Sequence, residues 1–388
     1  MQNSPKKVGL VLREISDHLR GNLHGILDFV QKNACWDVHT EGALPRLPWE
    51  RLSEWDGDGL IVAIDTRDEL HRIVEKETFV VNVSSRLPDL PIPTVVSDNE
   101  AIGSLAANHL LATGLKHFAF AGPMDLDHNV KRFAGFRRTL EKAGFTPELL
   151  DVRYVHRLLE NDKHSIVDTH DLGKQLKTLP HPVGVLAPHD DFGCWILKAC
   201  SESGLKVPAQ VAVIGVDNFE LLCGFTAPPL SSVAQSSFKI GFESARMLDR
   251  LMSGDPPTTD PLLIPPFGVV ARQSTEMLAV EDGDVAETIR YIRSHADQNI
   301  TVPDILDHIA VSRRSLEIRF KDAIGHSIEQ EMINSRIARA KALLSETAMP
   351  ITQVALNSGY QSSTGFSAAF RKETGMSPRD YRKQVSVQ

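Results

Sequence analysis

Between residues 6 and 272 the chain alternates short apolar runs with stretches whose apolar residues recur at helical spacing. The runs cover 7–12, 59–64, 78–83, 117–121, 183–187 and 211–216, and the amphipathic stretches include 25–32, 101–113, 130–143 and 191–203. Such alternation predicts parallel sheets assembled from βαβ units. Gly114, Gly144 and Gly204 each follow a helical stretch, where a left-handed C-cap is wanted. About 265 residues is long for a single open sheet, so two lobes with a cleft between them are expected.

Past residue 280 the pattern becomes wholly helical. Glu281-Asp282-Gly283-Asp284 reads as a short acidic connector, dividing an α/β domain over 1–278 from an all-α domain over 279–388. A helix over 285–295 places Val285, Ile289 and Ile292 on one face. Thr301 suits an N-cap, with Pro303 tolerated in the first turn and Ile305, Leu306 and Ile309 facing inward. A turn at Val311 leads to a helix over 312–324 with Leu316, Phe320 and Ala323 inward. A long helix over 327–346 then turns Ile328, Met332, Ile337, Ala340, Leu343 and Leu344 inward. Pro350 opens a short helix over 351–358 with Val354 and Ala355 apolar. Gly359-Tyr360 makes its turn, and 362–374 ends the series with Phe366, Ala369 and Phe370 inward.

These helices contain a repeat. Phe320-Lys321-Asp322-Ala323-Ile324-Gly325-His326-Ser327 is matched fifty residues later by Phe370-Arg371-Lys372-Glu373-Thr374-Gly375-Met376-Ser377. Each copy ends a short helix preceded by another helix and a tight turn, giving two helix-turn-helix units at about 301–325 and 351–375. The long helix between them spans roughly 30 Å, enough to hold two readers about one turn of DNA apart.

The outward residues of the first reader are Arg313, Arg314, Glu317 and Lys321; those of the second are Ser363, Thr364, Ser367 and Arg371. Arginine forks match guanine edges, while Ser and Thr approach bases closely with less selectivity. Lys321 and Arg371 suit phosphate and set register, and Arg379, Arg382 and Lys383 add positive charge behind them. The copies are unequal: the first is arginine-rich and the second is lined with small hydroxyls, so the first is expected to set base specificity.

A net charge of −8 over 388 residues argues against a nucleic-acid partner until its distribution is considered. From residue 311 onward there are 12 Lys and Arg against 7 Asp and Glu, while the preceding residues carry 30 against 43. An acidic bulk with a basic end suits a DNA-binding tail domain. No run of about 18 apolar residues predicts a transmembrane helix. The first apolar run is too short for a signal-peptide core, so a cytoplasmic location without membrane contact is expected. Cys35, Cys194, Cys200 and Cys223 form neither a CxxC pair nor metal-finger spacing, which predicts reduced thiols and no metal.

In the α/β part, polar residues collect at strand ends: Arg20, Ser84, Arg86, Asp98, Arg132, His189, Asp190, Asp217, Asn218 and Gln235. Ligands of open α/β sheets sit beyond the carboxyl ends of the strands. Asp and Asn accept from hydroxyls and Arg donates in a fixed fork, so this set suits a small sugar. Taken singly, Asp98 also fits a helix N-cap and Asp217 a turn residue.

Their order carries a resemblance. Ser97-Asp98-Asn99-Glu100-Ala101-Ile102-Gly103, Val130-Lys131-Arg132-Phe133-Ala134-Gly135-Phe136, Ile214-Gly215-Val216-Asp217-Asn218 and Leu230-Ser231-Ser232-Val233-Ala234-Gln235 resemble the periplasmic-binding-protein-like core of LacI-type repressors over residues 6–272. The resemblance implies a sugar cleft between lobes joined by three crossovers, lined by the matching Asp, Arg, Asp and Gln. Pro188-His189-Asp190 departs from it, since relatives often carry Asn before the Asp, and with so few residues ahead of the first apolar run no N-terminal DNA headpiece is expected. The stretch from Lys341-Ala342-Leu343-Leu344 through Gly359-Tyr360 and Phe370-Arg371 to Gly375-Met376-Ser377-Pro378 and Tyr381 is similar to the AraC-type signature over about 100 residues.

A LacI-type core ahead of a double helix-turn-helix resembles regulators of the bacterial xylose-operon activator type. The resemblance implies a transcription factor with D-xylose as effector, followed by arabinose or another pentose. It further implies double-stranded DNA and a second copy as partners, RNA polymerase as a candidate partner, and no cofactor. The alternatives are a regulator of the same build that senses another sugar or represses, and, more distantly, a sugar-modifying enzyme. Against an enzyme, no P-loop, HExxH or nucleophile elbow is found, and His189-Asp190 has no third partner to complete a catalytic set. A periplasmic sugar carrier does not explain the DNA-binding end.

Overall fold

The computed structural model describes residues 4–12, 17–39, 47–75, 78–152, 154–159, 162–276, 282–346 and 349–385. They fall into two compact units, Met1–Met277 and Leu278–Gln388.

In the first unit the apolar runs are strands alternating with helices. The order is β1 (Lys6–Val11), α1 (Asp17–Asn33), β2 (Trp36–Val38), β3 (Gly59–Val62), α2 (Arg67–Val74), β4 (Phe79–Asn82) and β5 (Val95–Ser97). Then come α3 (Asn99–Ala112), β6 (His117–Ala121), α4 (Asp127–Lys142), β7 (Glu148–Leu150), β8 (Tyr154–Leu159), β9 (Asp162–Val167), α5 (Thr169–Thr178), β10 (Val183–Leu186) and α6 (Asp190–Ser203). The unit ends with β11 (Val211–Asp217), α7 (Glu220–Phe225), β12 (Ser231–Ala234), α8 (Ser237–Met252), β13 (Leu262–Ile264) and β14 (Gly268–Val270).

Two sheets result, one per lobe. The first has the order β2-β1-β3-β4 and the second β14-β12-β11-β10-β6-β7. All neighbours are parallel except edge strand β14, which runs antiparallel to β12. A separate antiparallel hairpin, β8–β9, also departs from the parallel expectation. The chain crosses between lobes at 97–99, 234–237 and 264–268. The crossings are tied together: β5 pairs with β13, the Asp98 amide donates to the Ile264 carbonyl at 2.8 Å, and the Phe267 amide donates to that of Ala234 at 2.8 Å.

Each lobe also contains a helix pair in backbone contact through glycine. In the first lobe a Cβ added at Gly25 would meet the Phe238 carbonyl oxygen at 2.0 Å, and one at Gly241 would meet that of Asn22 at 1.9 Å. In the second, a Cβ at Gly103 would lie 1.9 Å from the Arg132 carbonyl oxygen and one at Gly135 2.0 Å from that of Glu100. The α3–α4 contact therefore fixes the height of Arg132 on α4.

The second unit comprises α9 (Gly283–Ser294), α10 (Val302–Ile309), α11 (Arg313–Ile324), α12 (Ile328–Glu346), α13 (Ile351–Asn357), α14 (Ser363–Thr374) and α15 (Pro378–Val385). It holds two separate cores that share α12. Ile328 and Met332 pack with Val285, Ile289, Ile305, Leu316 and Phe320, while Ile337, Ala340 and Leu344 pack with Val354, Ala355, Phe366 and Phe370.

The repeated sequence is a turn with a physical role. Gly325 and Gly375 have φ of 81° and 78° and close α11 and α14. Ser327 and Ser377 then accept the amides of Gln330 and Asp380 at 3.2 and 3.1 Å, starting the next helix.

Two expectations need correction here. Ala323, expected inward, is exposed, because it lies in the last turn before Gly325 and Ile324 packs on the core instead. The acidic stretch expected as a connector contributes structure: Asp282 caps α9, accepting from the amides of Asp284 and Val285 at 3.0 and 3.3 Å, while Glu281 lies outside the described residues.

Candidate functional site

Where the three crossings meet the ends of β11 and β12, the buried groups are polar. Arg132 is almost wholly buried. Its Nε donates to Asn99 Oδ1 at 2.9 Å, and Nη1 reaches the Pro188 carbonyl and, at 3.2 Å, His189 Nδ1. Burial lowers the guanidinium pKa, opposed by the charges of Asp217 and Asp190. The His189 ring also lies 3.6 Å from Asp217 Oδ2. A guanidinium can only donate, so Nδ1 accepts from Arg132 while the ring is neutral.

Burial alone would raise the Asp217 carboxyl; the His189 ring, Arg132 and His18 more than offset this and hold it below its usual value. Asp190 is pushed the other way, up to about 7, by burial and then by the charge of Asp217. It accepts from Ser232 Oγ at 2.6 Å and the Phe219 amide at 2.7 Å. A Cβ on Gly215 would come within 2.3 Å of its Oδ1, so the close approach of α6 to β11 needs that glycine. At the end of β11, Asp217 and Asn218 both have positive φ, 111° and 54°. Non-glycine residues take such angles at a cost, often where a site needs them.

Gln235 spans the hinge: its Nε2 donates to Asp217 Oδ1 and its Oε1 accepts from Ser97 Oγ. The lobes also meet directly. The amides of Asp127 and His128, in the first turn of α4, donate to the Arg86 and Ser85 carbonyls of the other lobe at 3.2 and 3.1 Å. These are helix N-terminal donors without a partner in their own helix, satisfied across the cleft. Asn99 Nδ2 reaches Ser85 Oγ at 3.3 Å.

Of the residues expected from sequence, Arg132, His189, Asp190, Asp217 and Gln235 are brought together, with Asn218 beside them holding Arg272 Nη2 at 2.8 Å. Ser84 and Arg86 form a neighbouring group on Asp65, at 2.7 and 3.4 Å. Asp98 is the N-cap of α3, accepting from the Ala101 amide at 2.9 Å. Arg20 is exposed on α1. The residue of α1 nearer this cluster is His18, bonded to Ser237 Oγ at 2.8 Å. Burial lowers its pKa, and the charge of Asp217 counters. Sequence reasoning also missed Asn99, His128 and Asp65. Asn99 is the residue after an expected one, and Asp65 stands at a strand end like the others; nothing in the sequence singles out His128. Buried acceptors facing a fixed guanidinium fork at a hinge can bind a compact polyhydroxylated molecule.

The second unit presents its own surface. Arg313 Nε is bonded to Glu317 Oε1 at 2.7 Å, with Glu329 at 3.7 Å beyond. Those contacts, led by the Glu317 hydrogen bond, raise its pKa. The side chains of Arg314 and Lys321 are exposed and have no hydrogen-bond or ion-pair partner among the described residues. On α14, Thr364 and Arg371 are exposed while Ser363 and Ser367 are half-buried. Ser362 caps that helix, accepting from the Gly365 amide at 3.2 Å.

Side-chain contacts tie the helices of the second unit together. Arg319 on α11 grips Asp282 at 2.9 and 2.7 Å and Asp284 at 2.8 Å. Arg336 donates to the Ile300 carbonyl at 2.9 Å, and its guanidinium lies 5.9 Å from the Tyr360 ring centroid.

Set against known families, residues 107–275 match a periplasmic binding protein-like domain and residues 305–384 a helix-turn-helix domain. The chain is similar to the xylose operon regulatory protein of Haemophilus influenzae, 32% identical over 386 residues, covering 97% of this chain and 98% of that protein. The protein of the same name from Escherichia coli K12 is 30% identical over 369 residues, 93% of this chain and 92% of its own length. Among solved structures, that of a xylose-binding transcription activator, xylR, overlays with a TM-score of 0.62 at 27% identity, covering 100% of both chains.

Proposed function

The chain belongs to the family of xylose operon regulatory proteins, and on that premise we propose that it is a transcription activator that binds D-xylose between its lobes and DNA through its paired helix-turn-helix units. The observation that carries the sugar assignment is the buried Arg132 guanidinium, fixed by Asn99, Pro188 and His189 opposite Asp217. In this reading Asp217, Asp190 and Asn218 accept from sugar hydroxyls and Arg132 donates, with His189, Gln235 and His18 closing the sides. Ser84, Arg86 and Asp65 approach from the first lobe, and Asp98 and Arg20 take structural and surface roles.

The mechanism follows from the hinge. Gln235 touches both Asp217 and Ser97, so a ligand held by Asp217 also acts on a crossing strand. Sugar favours the closed lobes to the extent that it binds them better than the open ones. The Ser85–His128 and Arg86–Asp127 bonds join the lobes and so favour closure, which in this reading is passed to the DNA-binding unit. The protein acts in the cytoplasm as a homodimer on two half-sites, contacts RNA polymerase, and catalyses no reaction.

A thermal-shift screen of pentoses and hexoses tests the sugar assignment, paired with an anisotropy titration of operator DNA. Xylose at about 100 times its Kd should stabilise the first unit by about 2.7 kcal/mol and tighten DNA binding. If no pentose or hexose moves either quantity, the gating reading fails.

A further inference from the structure

The face that α11 turns away from its core is apolar at its centre. Leu316 and Phe320 are fully buried, and helical geometry places residue 318 opposite them. That residue is Ile318, 53% exposed. Arg314 lies one turn before it and Lys321 and Asp322 one turn after, all exposed. A lone exposed apolar side chain is ordinary on a protein surface, so the position has to carry the argument.

Fifty residues later the same position on α14 holds Ala368, exposed and opposite buried Phe366 and Phe370, with Thr364, Arg371 and Lys372 around it. Both reading helices thus set an apolar group at the middle of a face that a merely solvated helix would fill with polar residues. Both also flank it with cations. The cations complement phosphate, and the apolar centre complements the one apolar feature of the major groove, the thymine 5-methyl group. Ile318 is branched at Cβ and stiff, so little side-chain freedom is lost when it packs on a methyl.

Resting on the DNA-binding reading above, we propose that Ile318 is a specificity-determining residue that covers the 5-methyl of a thymine in the stretch read by α11. Ala368 makes a smaller contact of the same kind in the stretch read by α14.

The test uses the full chain with xylose present. Duplexes are selected from a randomised pool, and each thymine of the selected site is replaced singly by deoxyuridine, which removes only the methyl. Anisotropy titration should find one thymine per half-site whose replacement weakens wild-type binding about fourfold, the worth of one buried methyl-sized group. For Ile318→Ala the same replacement should cost clearly less, as the shorter alanine contact allows, whereas Ile318→Val should retain the wild-type loss. If no thymine behaves this way, or the loss persists undiminished in Ile318→Ala, the inference is overturned, while salt-dependent selection of a defined site leaves the DNA-binding reading standing. Failure of the wild-type chain to select any sequence overturns both.

Discussion

His128 Nε2 lies 3.1 Å from His189 Nε2, the rings meeting edge to face with centroids 5.0 Å apart. One proton must serve both nitrogens. Because His189 Nδ1 accepts from Arg132 at 3.2 Å, its Nε2 carries the hydrogen and donates to His128. The His128 Nδ1–H then donates to the Ser85 carbonyl of the other lobe at 3.2 Å. The chain of donors is complete only while both rings are neutral.

A pH dependence follows from this chain. The His128 pKa sits well below 6.5, chiefly through burial and then through the His189 and Arg132 charges. The unfolded chain therefore binds this proton more readily, so the stability that His128 contributes is full above about pH 6.5 and declines as pH falls through that value. Asp190, raised to about 7 by burial, acts oppositely: its carboxyl favours the folded state increasingly as pH drops from 7 toward 4. Melting curves of wild type and His128→Gln between pH 5.5 and 8.0 isolate the first effect. The stability advantage of wild type should be largest above pH 7 and shrink on acidification; an advantage constant with pH rules the assignment out.

Asp217 should matter to the ligand more than to the reader helices. Replacing it with Ala removes the carboxylate between Gln235 and His189. Xylose-induced stabilisation should vanish in Asp217→Ala, with sugar-free DNA affinity within about twofold of wild type. Retained xylose stabilisation would remove Asp217 from the site.

Helix contact predicts a second route to the same loss. Gly103→Ala drives a methyl into the Arg132 carbonyl, and overpacking of this kind costs about 1–3 kcal/mol. It should also displace Arg132 and weaken xylose binding by more than tenfold, while Gly144→Ala, strained by a φ of 86° but with nothing within 4 Å of the added Cβ, should cost stability and leave sugar affinity unchanged. Calorimetric titration of both variants decides this.

The fold was readable where burial imposes a period. Six apolar runs mark strands of the two sheets, and the Gly-X-Ser repeat marks both helix-turn-helix ends, because a φ near 80° at Gly325 and Gly375 leaves little choice of residue. What escaped is what only tertiary contact creates. Arg20 and His18 are close in sequence, yet a helix of 3.6 residues per turn sends them to different sides. His128 becomes notable only when the start of α4 meets Ser85, in the segment after β4, across the cleft, and Asp282 looks like a linker until Arg319 is found holding it.

In the second unit Gly359 is a joint rather than a simple turn. Its φ is 72°, and a Cβ there would lie 2.5 Å from the Gln298 carbonyl oxygen, in the segment between α9 and α10. Gly359→Ala combines backbone strain with a backbone clash and should destabilise the second unit by about 1–3 kcal/mol. Hydrogen exchange should show faster opening of α13 and α14, with exchange in the first unit unchanged.

The two arginines opening α11 look equivalent in sequence and are not equivalent in the structure. Arg313 is engaged by Glu317 at 2.7 Å and Glu329 at 3.7 Å, both on its own unit. To reach DNA it must give up carboxylate partners, and these also repel phosphate. Arg314 is exposed with no such partner among the described residues, so its fork is free to take a guanine edge. A bidentate contact of that kind is worth about 1–3 kcal/mol of discrimination. Arg314→Ala should therefore weaken binding to the selected site by about tenfold or more and relax selection at one base pair. Arg313→Ala should cost less and leave the preferred sequence intact. Arg371→Ala, on the second reader, should lower affinity for every sequence alike and reduce the salt slope by about one. Anisotropy titrations at several salt concentrations, on matched and mismatched duplexes, separate the three. Equal losses for Arg313→Ala and Arg314→Ala would mean that the Glu317 pairing is given up freely on DNA.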